Sequence, residues 1–150
     1  MALKERIAND MKEAMKAGRK TELETLRTLR AAILEFEKQK VGAELQETDE
    51  LDLLTKAAKR RKEAIEQYEQ AGRADLAEQE TAELDIIAKY LPEQLSEDEL
   101  RELVAGAIAK TGASEPKDFG KVMGMVMKEV KGRADGAQVQ QLVKELLGGA

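Results

Sequence analysis

Neither cysteine nor histidine occurs among the 150 residues. Their absence removes the usual zinc ligands, the thiolate nucleophile and the imidazole of a Ser-His-Asp arrangement. It also removes any disulfide framework. Aromatic residues make up 3% of the chain, and it holds two prolines. Sheets draw on aromatic and β-branched side chains, whereas Ala, Leu, Glu, Lys and Gln, the good helix formers, dominate here. An all-α fold is expected. Long apolar runs are lacking as well. None approaches a membrane span, and the opening MALKERIANDMKEAMK has no uninterrupted apolar core of a secretion signal. A soluble cytoplasmic protein with no membrane partner is the expectation.

What is abundant is charge, arranged on a helical period. Charged residues are 37% of the chain, 25 basic against 30 acidic, where about 25% is typical. The length suits one ordinary domain or two very small ones. Leu3, Ile7, Met11, Ala14 and Met15 mark a first helix that Gly18 ends. Thr21 and Glu24 have capping-box spacing ahead of a second stripe, Leu23, Leu26, Leu29, Ile33 and Phe36, broken around Val41-Gly42. Thr48, followed by Asp49 and Glu50, opens a third helix with Leu51, Leu54, Ala58, Ile65 and Tyr68, and Gly72 stops it. A fourth carries Leu76, Leu84, Ile87 and Leu91 to Pro92.

Pro92 disfavours helical geometry at Leu91 and lacks a backbone donor, so it marks a boundary. Ser96 and Glu99 then repeat the capping-box spacing before Leu100, Leu103, Val104 and Ile108, and Gly112 closes that helix. Ser114 with Pro116 opens another, bearing Phe119, Val122, Met123, Val126, Met127 and Val130, which Gly132 stops. Asp135 is an N-cap for a last helix with Val139, Leu142, Val143, Leu146 and Leu147. The pattern predicts an N-terminal four-helix domain over 1–92 and a C-terminal three-helix domain over 93–150. The tetrapeptide GRAD occurs at Gly72–Asp75 and again at Gly132–Asp135. A glycine stop followed by an aspartate at the next start explains both copies.

No catalytic constellation stands out. Glu63, Glu66 and Glu69, and the run Glu97-Asp98-Glu99, read as solvated helix faces, since acid–base work needs two carboxylates in unlike environments. No loop offers clustered oxygen ligands for a metal, and phosphate-binding glycine patterns are absent. Neither cofactor nor metal is expected. Three features remain. Arg61 falls inside the apolar series of the third helix, as half of an inter-helix ion pair, as a snorkelling stem or as a ligand-binding group. Arg27 and Arg30 share one side of the second helix. With Arg61 they form a candidate seam, for salt bridges first and for an anion second.

The third feature is residues 119–136. Gly120 and Gly124 lie four apart in a short helix, at a cost of about 1 kcal/mol each against alanine. Close packing or an approaching ligand must offset it. Lys121, Lys128, Lys131 and Arg133 concentrate in the same stretch. From Pro116 onward there are six basic and four acidic residues, against 19 and 26 in the rest. A locally basic end on an acidic chain points to a polyanionic partner.

Gly124, Val126, Met127, Lys128, Lys131, Gly132, Ala134 and Asp135 follow a pattern, G-x-V-M-K-x-x-K-G-x-A-[DN]. It resembles the tail domain of GatB, the B subunit of the tRNA-dependent amidotransferases. With LRTLRAAI, KRRKEAIEQYEQAGR, DLAEQE and IIAKYLPEQLSEDEL in order, the resemblance extends over the chain to the small YqeY proteins. It implies a helical N-terminal domain followed by a three-helix tail. In the amidotransferases the tail helps bind tRNA, while the carbon–nitrogen ligase chemistry, with glutamine as amido donor, belongs to a separate catalytic cradle that this chain lacks. The resemblance therefore implies tRNA binding, or association with an amidotransferase or another translation protein, without catalysis by the chain itself. Lys121, Lys128, Lys131 and Arg133 are the expected phosphate contacts, with Gly132 permitting close backbone approach. The alternative is a helical adaptor that docks a protein partner through its glycine-bearing helix.

Overall fold

The helical period is realised along the chain. A computed structural model describes residues 2–40 and 44–148. It holds α1 (Leu3–Ala17), α2 (Lys20–Gln39), α3 (Glu47–Gln70), α4 (Ala74–Ala88), α5 (Glu97–Thr111), α6 (Phe119–Val130) and α7 (Gly136–Leu146), with a 3₁₀ turn at Pro116–Asp118. No strand occurs among the described residues. The break expected around Val41-Gly42 lies outside them. Contacts divide the chain into two compact units, Met1–Leu91 and Pro92–Ala150.

In the first unit α1 packs on α2 and α3 on α4. Its core takes Leu3 and Ile7 from α1, Leu26, Leu29 and Ile33 from α2, Leu54 and Ala58 from α3, and Ile87 from α4. The i, i+3, i+4 spacing of these residues places them on single faces. Met15, expected on the same face, is 61% exposed, because Ala14 takes the inward position beside it. Tyr90 ties the end of this unit back to its start: its hydroxyl donates to Asp10 and its ring lies under the Arg6 guanidinium.

The second unit is built on valine. Leu100, Val104 and Ala107 of α5, Val122, Val126 and Val130 of α6, and Val139, Leu142 and Val143 of α7 close one core with Leu147. Ser96 caps α5 in a reciprocal pair: its hydroxyl accepts from the Glu99 N–H at 3.2 Å, and its own N–H donates to the Glu99 carboxylate at 3.3 Å. Asp135 caps α7 through the Ala137 N–H at 3.0 Å.

Three helix starts differ from the sequence expectation. α2 begins at Lys20, so Thr21 lies inside it, and Arg19 pairs with Glu22 in the first turn. α3 begins at Glu47 after Gln46, whose N–H donates to the Asp49 carboxylate at 3.0 Å. That places the start two residues ahead of the point expected from Thr48. The 3₁₀ turn is held by Asp118, which accepts from the N–H groups of Ser114 and Glu115 at 3.2 and 3.3 Å. At α3 and at the 3₁₀ turn an aspartate three or four residues on accepts from the backbone N–H groups at the start, whereas α2 has no side-chain cap.

Candidate functional site

Helix α6 divides sharply into two sides. Val122, Val126 and Val130 are buried, and Met123, Met125 and Met127 are half-buried against the same core. The other side carries Gly120, Lys121, Gly124 and Lys128, all exposed. At about 100° per residue, these four fall within an arc of about 100°, and the two lysines stand about 10 Å apart along the axis. A Cβ added to Gly120 or Gly124 meets nothing within 4 Å. Packing inside the chain therefore does not explain these glycines.

Past the helix, the expected site residues part company. Lys131 is the exposed residue that ends α6. Gly132 has a φ of 78°, a left-handed conformation that only glycine adopts without steric cost. Its carbonyl accepts from Gln94 Nε2 at 2.7 Å. The Arg133 carbonyl accepts from the Leu95 N–H at 2.8 Å, and Arg133 Nε donates to the Glu93 carbonyl at 3.3 Å. Gly132 and Arg133 thus clamp the turn after α6 onto the segment leading into α5. Arg133 is half-buried and also lines a pocket of about 350 Å³ with Leu95, Glu99, Glu102 and Leu103. The structure sets Lys121 and Lys128 on one face and turns Arg133 toward residues 93–95.

Acidic neighbours modulate this surface. Asp118 is held below its ordinary carboxylate range, chiefly by the N–H groups of Ser114 and Glu115, with smaller contributions from Lys117 and Lys121. Lys117 pairs with Glu115 at 2.9 Å. Phe119 is half-buried and covered by Lys144, whose Nζ lies 5.8 Å from the ring centroid. The ring packs against the core of the second unit.

The arginines of the first unit differ in burial. Arg27 and Arg30 are exposed, and neither forms an ion pair among the described residues. Arg61 is buried at 7% exposure. Its Nη1 donates to the Ala57 carbonyl at 3.1 Å, and its Nη2 lies 3.8 Å from Glu83 Oε1 of α4. Burial, with the charge of Glu80 second, pushes the Glu83 carboxyl above its ordinary range, and Arg61 opposes the shift. Sequence periodicity identified Arg61. It carried no signal for Glu83, whose relevance depends on how α3 meets α4.

The family model for Yqey-like proteins matches residues 4–147. The chain belongs to the YqeY-like family. Among its relatives is the altered inheritance of mitochondria protein 41, mitochondrial, of Pyrenophora tritici-repentis. It is 36% identical over 149 residues, covering 95% of this chain and 80% of the relative. The protein of the same name from Lachancea thermotolerans is 32% identical, over 73% of this chain and 60% of its own length. An uncharacterized Schizosaccharomyces pombe protein is 33% identical, over 60% of this chain and 72% of its own. Two of these names place YqeY-like relatives in mitochondria, which overturns the cytoplasmic location expected from sequence. That expectation rested on missing apolar runs, and mitochondrial targeting segments are amphipathic and arginine-rich rather than apolar. No helix among the described residues is long and apolar enough to cross a membrane.

Proposed function

We propose that this YqeY-like protein is a non-catalytic tRNA-binding protein, associated with tRNA-dependent amidotransferase function through a tail-like domain at residues 93–150. Residues 1–92 form a separate helical domain. One observation carries the proposal: on α6, two exposed glycines with open space above them lie among exposed lysines. Bare backbone lets a phosphate chain come close, and lysines on the same arc neutralise it. Shape and charge do the recognising, since lysines and bare backbone read phosphates and not bases. Lys131 lies at the edge of this contact, and Gly132 and Arg133 hold the turn beside it.

The test is tRNA binding to the full chain at low salt, with Gly124 replaced. Gly124→Ala relieves a helix-interior glycine and should raise stability by about 1 kcal/mol. Gly124→Leu keeps the helix but fills the space above it, and should weaken tRNA binding about tenfold or more. Unchanged affinity in the leucine variant contradicts the proposal. A protein adaptor would use the same bare face through apolar contact, so its binding would survive high salt.

A further inference from the structure

The first unit contains a polar group whose hydrogen-bonding capacity its fold leaves partly unused. The Arg61 side chain is 9% exposed. Its Nη1 is occupied by the Ala57 carbonyl. The 3.8 Å separation of Nη2 from Glu83 is an ion pair too long for a hydrogen bond. Its Nε is buried with no hydrogen-bond partner. Nε–H and one Nη2–H form the side-on edge of a guanidinium, which matches the two oxygens of a carboxylate. That edge is unfilled.

Arg61 lines a cleft of about 220 Å³ with Thr28, Arg60, Ala64, Glu80 and Glu83. The walls have opposite charge. α3 supplies Arg60 and Arg61, and α4 supplies Glu80 and Glu83. Arg60 and Glu80 form no ion pair among the described residues, and Arg61 meets Glu83 across 3.8 Å, so the opposed charges are only partly paired. A lone anion entering here meets the two glutamates, and a lone cation meets the two arginines. A ligand carrying both charges a few ångströms apart is attracted at each end. The volume is below the roughly 300–1,000 Å³ of sites for drug-sized ligands, and it holds about seven waters at about 30 Å³ each. It suits a small metabolite.

We propose that the α3–α4 cleft binds a small zwitterion of the free α-amino-acid class, its carboxylate held at the Arg60–Arg61 wall and its ammonium between Glu80 and Glu83. The carboxylate adds a partner to an arginine whose ion pair with Glu83 is long, at 3.8 Å. The ammonium offsets the repulsion between the two glutamates.

The full chain, titrated with each proteinogenic amino acid at about 10 mM, tests this by the NMR resonance of the Arg61 Nε–H. At least one amino acid should shift it saturably with a millimolar or tighter constant. Acetate and methylammonium, each carrying half of the zwitterion, should bind at least about tenfold more weakly. Arg61→Met keeps the side-chain bulk, removes the donors and should abolish binding, read in that variant from the backbone amide resonances of Ala64 and Glu83, which line the same cleft. Glu80→Gln, at the cleft wall, should weaken it about tenfold and provides the test if Arg61→Met fails to fold. The proposal is overturned if no amino acid shifts the resonance, if acetate binds as well as the best amino acid, or if Glu80→Gln binds unchanged.

Discussion

The same four residues, GRAD, sit in both units and behave differently. In the first unit Gly72 stops α3, and Arg73 pairs with Asp75 two residues on, at 3.3 Å. Both side chains are exposed, and Asp75 lies inside the first turn of α4. In the second unit Gly132 stops α6, Arg133 turns away to the Glu93 carbonyl, and Asp135 caps α7. Local chemistry dictates the helix stop in each case. The partner of the arginine is set by what the fold brings alongside, which for Arg133 is a segment about forty residues earlier in the chain.

A parallel contrast runs through the two interiors. Among the described residues, the buried polar ones, Thr25 and Arg61, both belong to the first unit, whereas the buried ones of the second are all apolar. Thr25 is satisfied by the Thr21 carbonyl in its own helix. Arg61 is only partly satisfied. The second unit closes its valine core completely and displays its polarity on the outside, along α6. The first keeps a charge within.

The sharpest test of two separate cores is a matched pair of substitutions. Leu26 and Leu100 are each fully buried, one in each unit. Leu26→Ala and Leu100→Ala should each cost about 3–4 kcal/mol, a large share of the stability of so small a unit. Amide exchange should show each loss confined to its own unit. Collapse of the whole chain by either substitution breaks the comparison.

Next in size is the buried charge. Arg61→Ala should cost the first unit about 2–3 kcal/mol in urea unfolding, by stripping Glu83 of its partner and leaving a void. The cost falls short of a fully buried pair because a fifth of the Glu83 side chain reaches water. Arg61→Met should stay within about 1 kcal/mol of the parent, since an apolar side chain of similar bulk replaces an imperfectly paired ion. A methionine variant as damaged as the alanine variant would make Arg61 an indispensable stabilising pair.

The twin turns give a smaller effect. Arg133→Ala should cost about 1 kcal/mol by removing the bond to Glu93, while Arg73→Ala, breaking an exposed pair, should leave the melting temperature unchanged. Equal losses at both positions would erase the contrast between the turns.

Acid acts with opposite sign on two carboxyl groups, Glu83 in the first unit and Asp118 in the second. The Glu83 carboxyl is held above its ordinary 4.5 by burial and by Glu80, with a smaller push from Glu24. Its charged form costs the first unit stability at neutral pH, and that cost is relieved as pH falls through the folded value. Asp118 is held below its ordinary 3.8. Its contribution to the second unit is present above that value and is lost as pH falls through the lowered one. Amide exchange between neutral pH and about pH 4.5 should therefore show the first unit gaining protection, and the second losing it only in stronger acid.

Much of the fold was legible because helix punctuation is local. The Ser96–Glu99 capping box, the Asp135 cap and the glycine stops each depend on residues within a few positions of one another. Helix starts were missed where two local options compete, as at Thr48, where the Gln46–Asp49 bond starts α3 earlier. The site was legible in part. Lysine spacing on α6 follows from helical period. That Gly120 and Gly124 face open space follows from which α6 face the valines bury against α5 and α7. The clamp of Arg133 on Glu93 and the pairing of Arg61 with Glu83 are tertiary facts without a local signature.

The salt dependence of tRNA binding probes the role of α6 most directly. Affinity of the full chain for a folded tRNA is measured over a series of salt concentrations, beside Lys121→Glu combined with Lys128→Glu. Both side chains are exposed, so the double variant should retain its helix content. Its affinity at low salt should fall, and the slope of log affinity against log salt should flatten by about one to two. Equal affinity and equal slope for the two proteins would contradict tRNA binding through α6.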